Sequence, residues 1–153
     1  MDASFKTHVD GKGHVCIVIT MGSGVVYVKS FKIKMQVLSS TEAEQYGMSE
    51  AATFVKWGRS MMRKMGQEQK GPSRMYHDNL SAIWLTHEDA SFARNKHILV
   101  RRNYCKEAVA EGSMVVIHTG TEKMWADIGT KILPPASLGH MMDGIGMLQL
   151  EKF

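Results

Sequence analysis

Ser39-Ser40-Thr41-Glu42-Ala43-Glu44 opens the stretch that decides the fold. Hydroxylated residues followed three positions later by glutamate, Glu42 after Ser39 and Glu44 after Thr41, signal a helix start. An amphipathic pattern then runs to about Met65 and stops at Gly66. Steps of four and three residues from Glu44 reach Met48, Ala51, Val55, Gly58, Met62 and Met65, a stripe expected to face a sheet with Glu44 at its head. Glu42 lies about 200° around the helix from Glu44, which places it on the solvent side and suits it to capping.

Working outward, His14 to Thr20 and Val25 to Phe31 are rich in β-branched residues and flank Met21-Gly22-Ser23-Gly24, which predicts a hairpin. Asp2 to Thr7 precedes it across a turn-like cluster and completes a three-stranded antiparallel meander. Downstream, Arg74 to His77 reads as a strand, Asn79 to Thr86 and Lys96 to Ala110 as helices, and Ser113 to Thr119 as the last strand. Glu122 to Lys131 reads as a helix closed by Pro134-Pro135, and Ser137 to Leu148 as a glycine-interrupted tail. This order predicts an α/β fold with one five-stranded mixed sheet and helices on both faces. The expected domain covers 1–138, with 139–153 as a C-terminal tail.

A length of 153 residues suits one hydrophobic core. Apolar residues at 44% and charged residues at 22% exclude a disordered chain, and no apolar run is long enough to span a bilayer, so no membrane partner is expected. Nothing at the amino terminus reads as a secretory signal. Cys16 and Cys105 stand far apart and predict two reduced thiols rather than a disulfide or a zinc site. The net charge of +4 favours a polyanionic partner only weakly. Thirteen methionines, among them Met61, Met62, Met65, Met141 and Met142, point to a soft core.

Four acids stand where burial logic would not put them: Asp2 in the first strand, Glu44 near the start of the long helix, Asp78 after the fourth strand and Asp127 in the apolar turn Met124 to Ile128. Each also has an ordinary structural account. Glu44 pairs as well with Thr41 in a capping box, Asp78 suits the cap of the helix beginning at Asn79, and simple solvation accounts for Asp2 or Asp127. Against this, a carboxylate on a buried face demands compensation, and several converging oxygens suit a hard cation such as Mg²⁺.

Asp2-Ala3-Ser4, Lys29-Ser30, Leu38 to Glu44, Asp78-Asn79 with Ser81-Ala82-Ile83, Lys96-His97-Ile98, and Ala126-Asp127-Ile128 with Thr130-Lys131 together resemble the ribonuclease H region of copia-type retrotransposon polyproteins. The likeness runs from Asp2 to about Leu138. It implies a ribonuclease H-like fold, cleavage of the RNA strand of an RNA–DNA hybrid, and a place beside the reverse transcriptase domain of the same polyprotein. The implied catalytic and metal-binding quartet is Asp2, Glu44, Asp78 and Asp127, holding two Mg²⁺ ions or Mn²⁺. In such a site Asp2 touches both ions, Glu44 and Asp78 one, and Asp127 the other, with one ion activating water and the other stabilising the leaving 3′ oxygen. The implied compartment is the cytoplasm, within virus-like particles, or the nucleus.

Arg94, Lys96, Arg101, Arg102 and Lys106 make the helix after Asp89 basic, a track for a nucleic-acid backbone or an ordinary solvated face. His97 reads as structural, His118 stays outside the site, and His77 is expected on the strand face opposite Asp78. The family carries several residues upstream of its first aspartate. The central strand is therefore expected to be clipped, with Asp2 poorly fixed and the fold outlasting the activity. The alternative is a catalytically inactive retrotransposon-derived remnant that binds nucleic acid or serves as a structural module.

Overall fold

The computed structural model describes residues 1–22, 24–87 and 96–147. Strands β1 (Asp2–Ser4), β2 (His14–Met21) and β3 (Gly24–Lys32) form the antiparallel meander. Gly22, at φ 62°, supplies the left-handed backbone its turn needs. Helix α1 (Ser40–Lys64) follows, then β4 (Ser73–His77), α2 (Leu80–His87), α3 (Lys96–Ala110) and β5 (Met114–His118). Strands β4 and β5 pair in parallel, as a connection through helices permits.

The five strands are arranged in two sheets, β1-β2-β3 and β4-β5, rather than in the single five-stranded sheet expected. Met1 N donates to Tyr76 O at 3.3 Å between β1 and β4, and one hydrogen bond does not make a ladder. Three residues of β1 offer little length for a second partner.

Alternation along β2 builds a core on each side. Val15 and Ile17 pack with Ala43, Met48 and Ala51 of α1, while Cys16 turns the other way onto Met124 and Ala126. Helical structure therefore covers both faces of β2, α1 on one and a short turn on the other. The segment expected as a helix from Glu122 to Lys131 is instead two 3₁₀ turns, Thr121–Lys123 and Trp125–Gly129. Gly129 explains the closeness of the second turn to β2: a Cβ there would lie 2.4 Å from Cys16 Sγ.

Helix α4 (Pro135–Gly144) takes up most of the glycine-interrupted tail, and the boundary drawn at 138 falls inside it. Its Met141 is buried, and Gly144 lies against the Trp125 ring. Both cysteines are free, as the sequence suggested; both are also buried, and burial pushes the Cys105 thiol up to about 12. Among the described residues no helix is long and apolar enough to cross a membrane.

The stripe headed by Glu44 is fully buried only at Met48 and Ala51, and Met65 ends it 62% exposed. Glu42 also departs from expectation, being buried rather than solvated. Residues 33–38 fold back onto the start of α1, where the Leu38 N–H donates to Glu42 Oε2 at 2.7 Å. Its capping role stands: the Glu42 N–H donates to Ser39 Oγ at 3.1 Å.

Candidate metal centre

Local structure removes the ordinary account of each acid in turn. Ser39 and Glu42 make the capping interactions of α1, so Glu44 is not needed there. Asn79 Oδ1 accepts from the Ala82 N–H at 3.0 Å and caps α2, which leaves Asp78 without that duty. Asp2 and Asp127 are not solvated, with relative exposures of 2% and 1%. Asp2 is also not loosely held: it sits opposite Cys16 in the ladder and accepts a hydrogen bond from the Thr130 hydroxyl.

Asp2, Glu44 and Asp78 each bring an oxygen into a group whose members all lie within 4.8 Å of one another. Asp127 falls outside that group but reaches Asp2 through Lys131, whose Nζ is 2.8 Å from Asp127 Oδ2 and 3.7 Å from Asp2 Oδ1. Asp127 Oδ1 is buried with no hydrogen bond, and Glu44 Oε2 is buried with the His77 imidazole 3.3 Å away. Three converging carboxylates form a hard, all-oxygen donor set, which fits Mg²⁺ or Mn²⁺.

His77 and Lys131 are among the residues near these acids that the sequence did not assign to the site. His77 is fully buried, with Nδ1 accepting the Asn79 N–H at 3.0 Å and Nε2 lying 3.3 Å from Glu44 Oε2. Its expected opposition to Asp78 fails because β4 ends at His77 and strand alternation no longer governs the next residue. Lys131 stands four residues after Asp127, a spacing that signals the contact.

Burial pushes the Glu44 carboxyl above its ordinary range, Asp2 and Asp78 add to the rise, and His77 opposes it. Asp127 is raised chiefly by burial as well, with Lys131 pulling it down. Burial alone would lower Lys131, but Asp127 and Asp2 outweigh it and hold the ammonium above its usual value. An acid with a raised folded-state pKa costs stability once ionised. In chelator, Glu44 and Asp127 should therefore contribute a loss that develops as pH rises from their ordinary values of 4.5 and 3.8 through the raised ones, and persists above them. The gain in melting temperature from Mg²⁺ should accordingly widen with pH over that window. Scanning fluorimetry in EDTA and in Mg²⁺ measures it, and a gain independent of pH would contradict the assignment.

The basic track changes more. Arg94 lies outside the described residues, as do the side chains of Lys96 and His97. Arg101 is drawn inward, donating to Ser49 Oγ at 2.8 Å and stacking on the Tyr46 ring at 3.9 Å. Arg102 is buried, and Lys106 is half-buried. The two arginines thus serve packing between α3 and the rest of the fold rather than an open phosphate track. His118 is exposed at the end of β5, opposite His77 in the ladder.

The chain is similar to one segment of retrovirus-related Pol polyproteins. It is 30% identical over 147 residues to that from transposon TNT 1-94 of Nicotiana tabacum, covering 95% of this chain and 11% of the relative. Those from transposons RE2 and RE1 of Arabidopsis thaliana are each 27% identical over 133 residues, 87% of this chain and 9% of each relative. The chain thus spans about a tenth of the length of the curated relatives it matches. No protein-family model matches it, and no solved structure does.

Proposed function

We propose that this chain is the ribonuclease H-type domain of a copia-type retrotransposon polyprotein, hydrolysing the RNA strand of RNA–DNA hybrids next to a reverse transcriptase domain. The observation that carries the reading is the meeting of Asp2, Glu44 and Asp78 within 4.8 Å, from β1, α1 and the end of β4. Similarity to Pol polyproteins supplies the context, and the element order, a meander followed by α1, β4, helices and β5, agrees with a ribonuclease H-like arrangement.

Asp2, Glu44 and Asp78 would hold one divalent ion, and Asp127 with Asp2 would face a second. When bound, such ions supply activation of a water nucleophile and neutralisation of the departing 3′ oxygen. The chain's own contribution is placement. Thr130 fixes one Asp2 oxygen, and His77 stands behind Glu44 with its ring set by the Asn79 N–H. Asp78 keeps an exposed edge through which a phosphate can approach.

Incubation with a labelled RNA–DNA hybrid in Mg²⁺, Mn²⁺ or chelator tests this. Cleavage of the RNA strand is expected in either metal, none in chelator, and none with Asp78→Asn. Absence of cleavage in both metals, or its persistence in Asp78→Asn, defeats the proposal. Hybrid binding without cleavage would instead mark a non-catalytic remnant.

A further inference from the structure

We infer that Lys131 is a built-in counter-cation at the Asp2–Asp127 edge of the site, so that the free protein takes up one divalent ion readily and a second only by displacing this ammonium. The inference rests on the metal-binding reading above and extends it to a residue outside the acidic quartet.

Backbone geometry holds Lys131 over its acid. The 3₁₀ turn Trp125–Gly129 is followed by two hydrogen bonds to the Asp127 carbonyl, from Thr130 N at 3.1 Å and from Lys131 N at 2.9 Å. The chain curls back, and the ammonium comes to 2.8 Å from Asp127 Oδ2 and 3.7 Å from Asp2 Oδ1. An ion bridging Asp2 and Asp127 needs the same place, because Mg²⁺ demands oxygens at about 2.1 Å. Ammonium and divalent ion cannot share it.

The Asp2, Glu44 and Asp78 group stands differently. On its Glu44 side the buried His77, rather than a lysine, faces Oε2 at 3.3 Å, so a first ion meets no lysine there. Lys131 can also leave. Its side chain is 38% exposed, while both acids it touches are only 2% exposed, so the lysine is the mobile partner. Asp127 Oδ1, buried and without a hydrogen bond, remains to receive the incoming ion. A substrate phosphate at this edge gives the displaced ammonium a new anionic partner, so the second ion arrives with substrate.

Mn²⁺ alone, titrated into the free protein and followed by calorimetry and by the electron paramagnetic resonance of unbound Mn²⁺, provides the test. Wild type should bind one ion tightly and a second weakly. Lys131→Met and Lys131→Gln should strengthen the second binding about tenfold, and Lys131→Arg should follow wild type. In chelator at neutral pH both neutral variants should melt lower than wild type, and saturating Mn²⁺ should restore them. Circular dichroism in Mn²⁺ establishes that they fold, and the glutamine form keeps the test open should the methionine form not. An isotherm unchanged by either neutral variant overturns the role of Lys131 while leaving the metal site standing. No uptake by wild type or variants overturns both.

Discussion

Glu44→Gln should lower hybrid cleavage by roughly a thousandfold, about 4 kcal/mol of transition-state stabilisation, while raising the melting temperature of the metal-free protein at neutral pH. The two signs have one cause. Glu44 is 5% exposed, and burial together with Asp2 and Asp78 opposes its ionisation against the pull of His77. Replacing it with a neutral isostere removes that cost and leaves His77 Nε2 a compatible neighbour. Each kcal/mol regained is worth about 2–4 °C in a chain of this size. A residue kept for structure would behave oppositely, losing stability on substitution and leaving turnover alone. Steady-state cleavage of a labelled hybrid, with thermal melts in EDTA, separates the cases. A destabilised variant that cleaves normally would remove Glu44 from the chemistry.

What the sequence disclosed was local. The β2–β3 hairpin, the start of α1 at Ser39 and the run from β4 to β5 rest on β-branched alternation, glycine turns and capping residues that read within a few positions. What it concealed depended on segments distant in the chain. Glu42 looks solvent-facing on an isolated helix, and only the return of residues 33–38 buries it. Arg101 and Arg102 look like surface charge until α3 meets α1, although Ile98, Arg102, Cys105 and Val109, stepping by four, three and four, already traced a face containing one arginine. The separation into two sheets likewise turns on the β1–β4 edge, which no local pattern encodes. Asp2, Glu44 and Asp78, which the fold brings together, were legible from a strand, a helix face and a strand end, whereas Asp127 lies outside their group. Lys131 and His77 were not legible, since their roles come from which acid they touch.

Gly129→Ala should destabilise the protein by about 1–3 kcal/mol and slow cleavage about a hundredfold, although the residue bears no side chain. The 3₁₀ turn lies so close to β2 that a Cβ at position 129 would stand 2.4 Å from Cys16 Sγ, 2.8 Å from Cys16 Cβ and 3.2 Å from Ser30 Oγ. Cys16 cannot yield, being buried against Met124 and Ala126 and directly opposite Asp2 in the ladder. Ser30 is engaged too, donating to the Gly129 carbonyl at 2.9 Å. Relief must come from withdrawal of the turn, which carries Asp127 on one side of Gly129 and Thr130 and Lys131 on the other. Asp2 would then lose its Thr130 hydrogen bond and the Lys131 bridge together. A shift of about 1 Å in such a site costs on the order of a hundredfold in rate. Gly58→Ala is the matched control: nothing lies within 4 Å of its added Cβ inside α1, so it should stabilise by about 0.5–1 kcal/mol. Chemical denaturation with hybrid cleavage on both variants decides the matter, and a Gly129→Ala protein as stable and active as wild type would show that the close approach of the turn to β2 is not what sets the site.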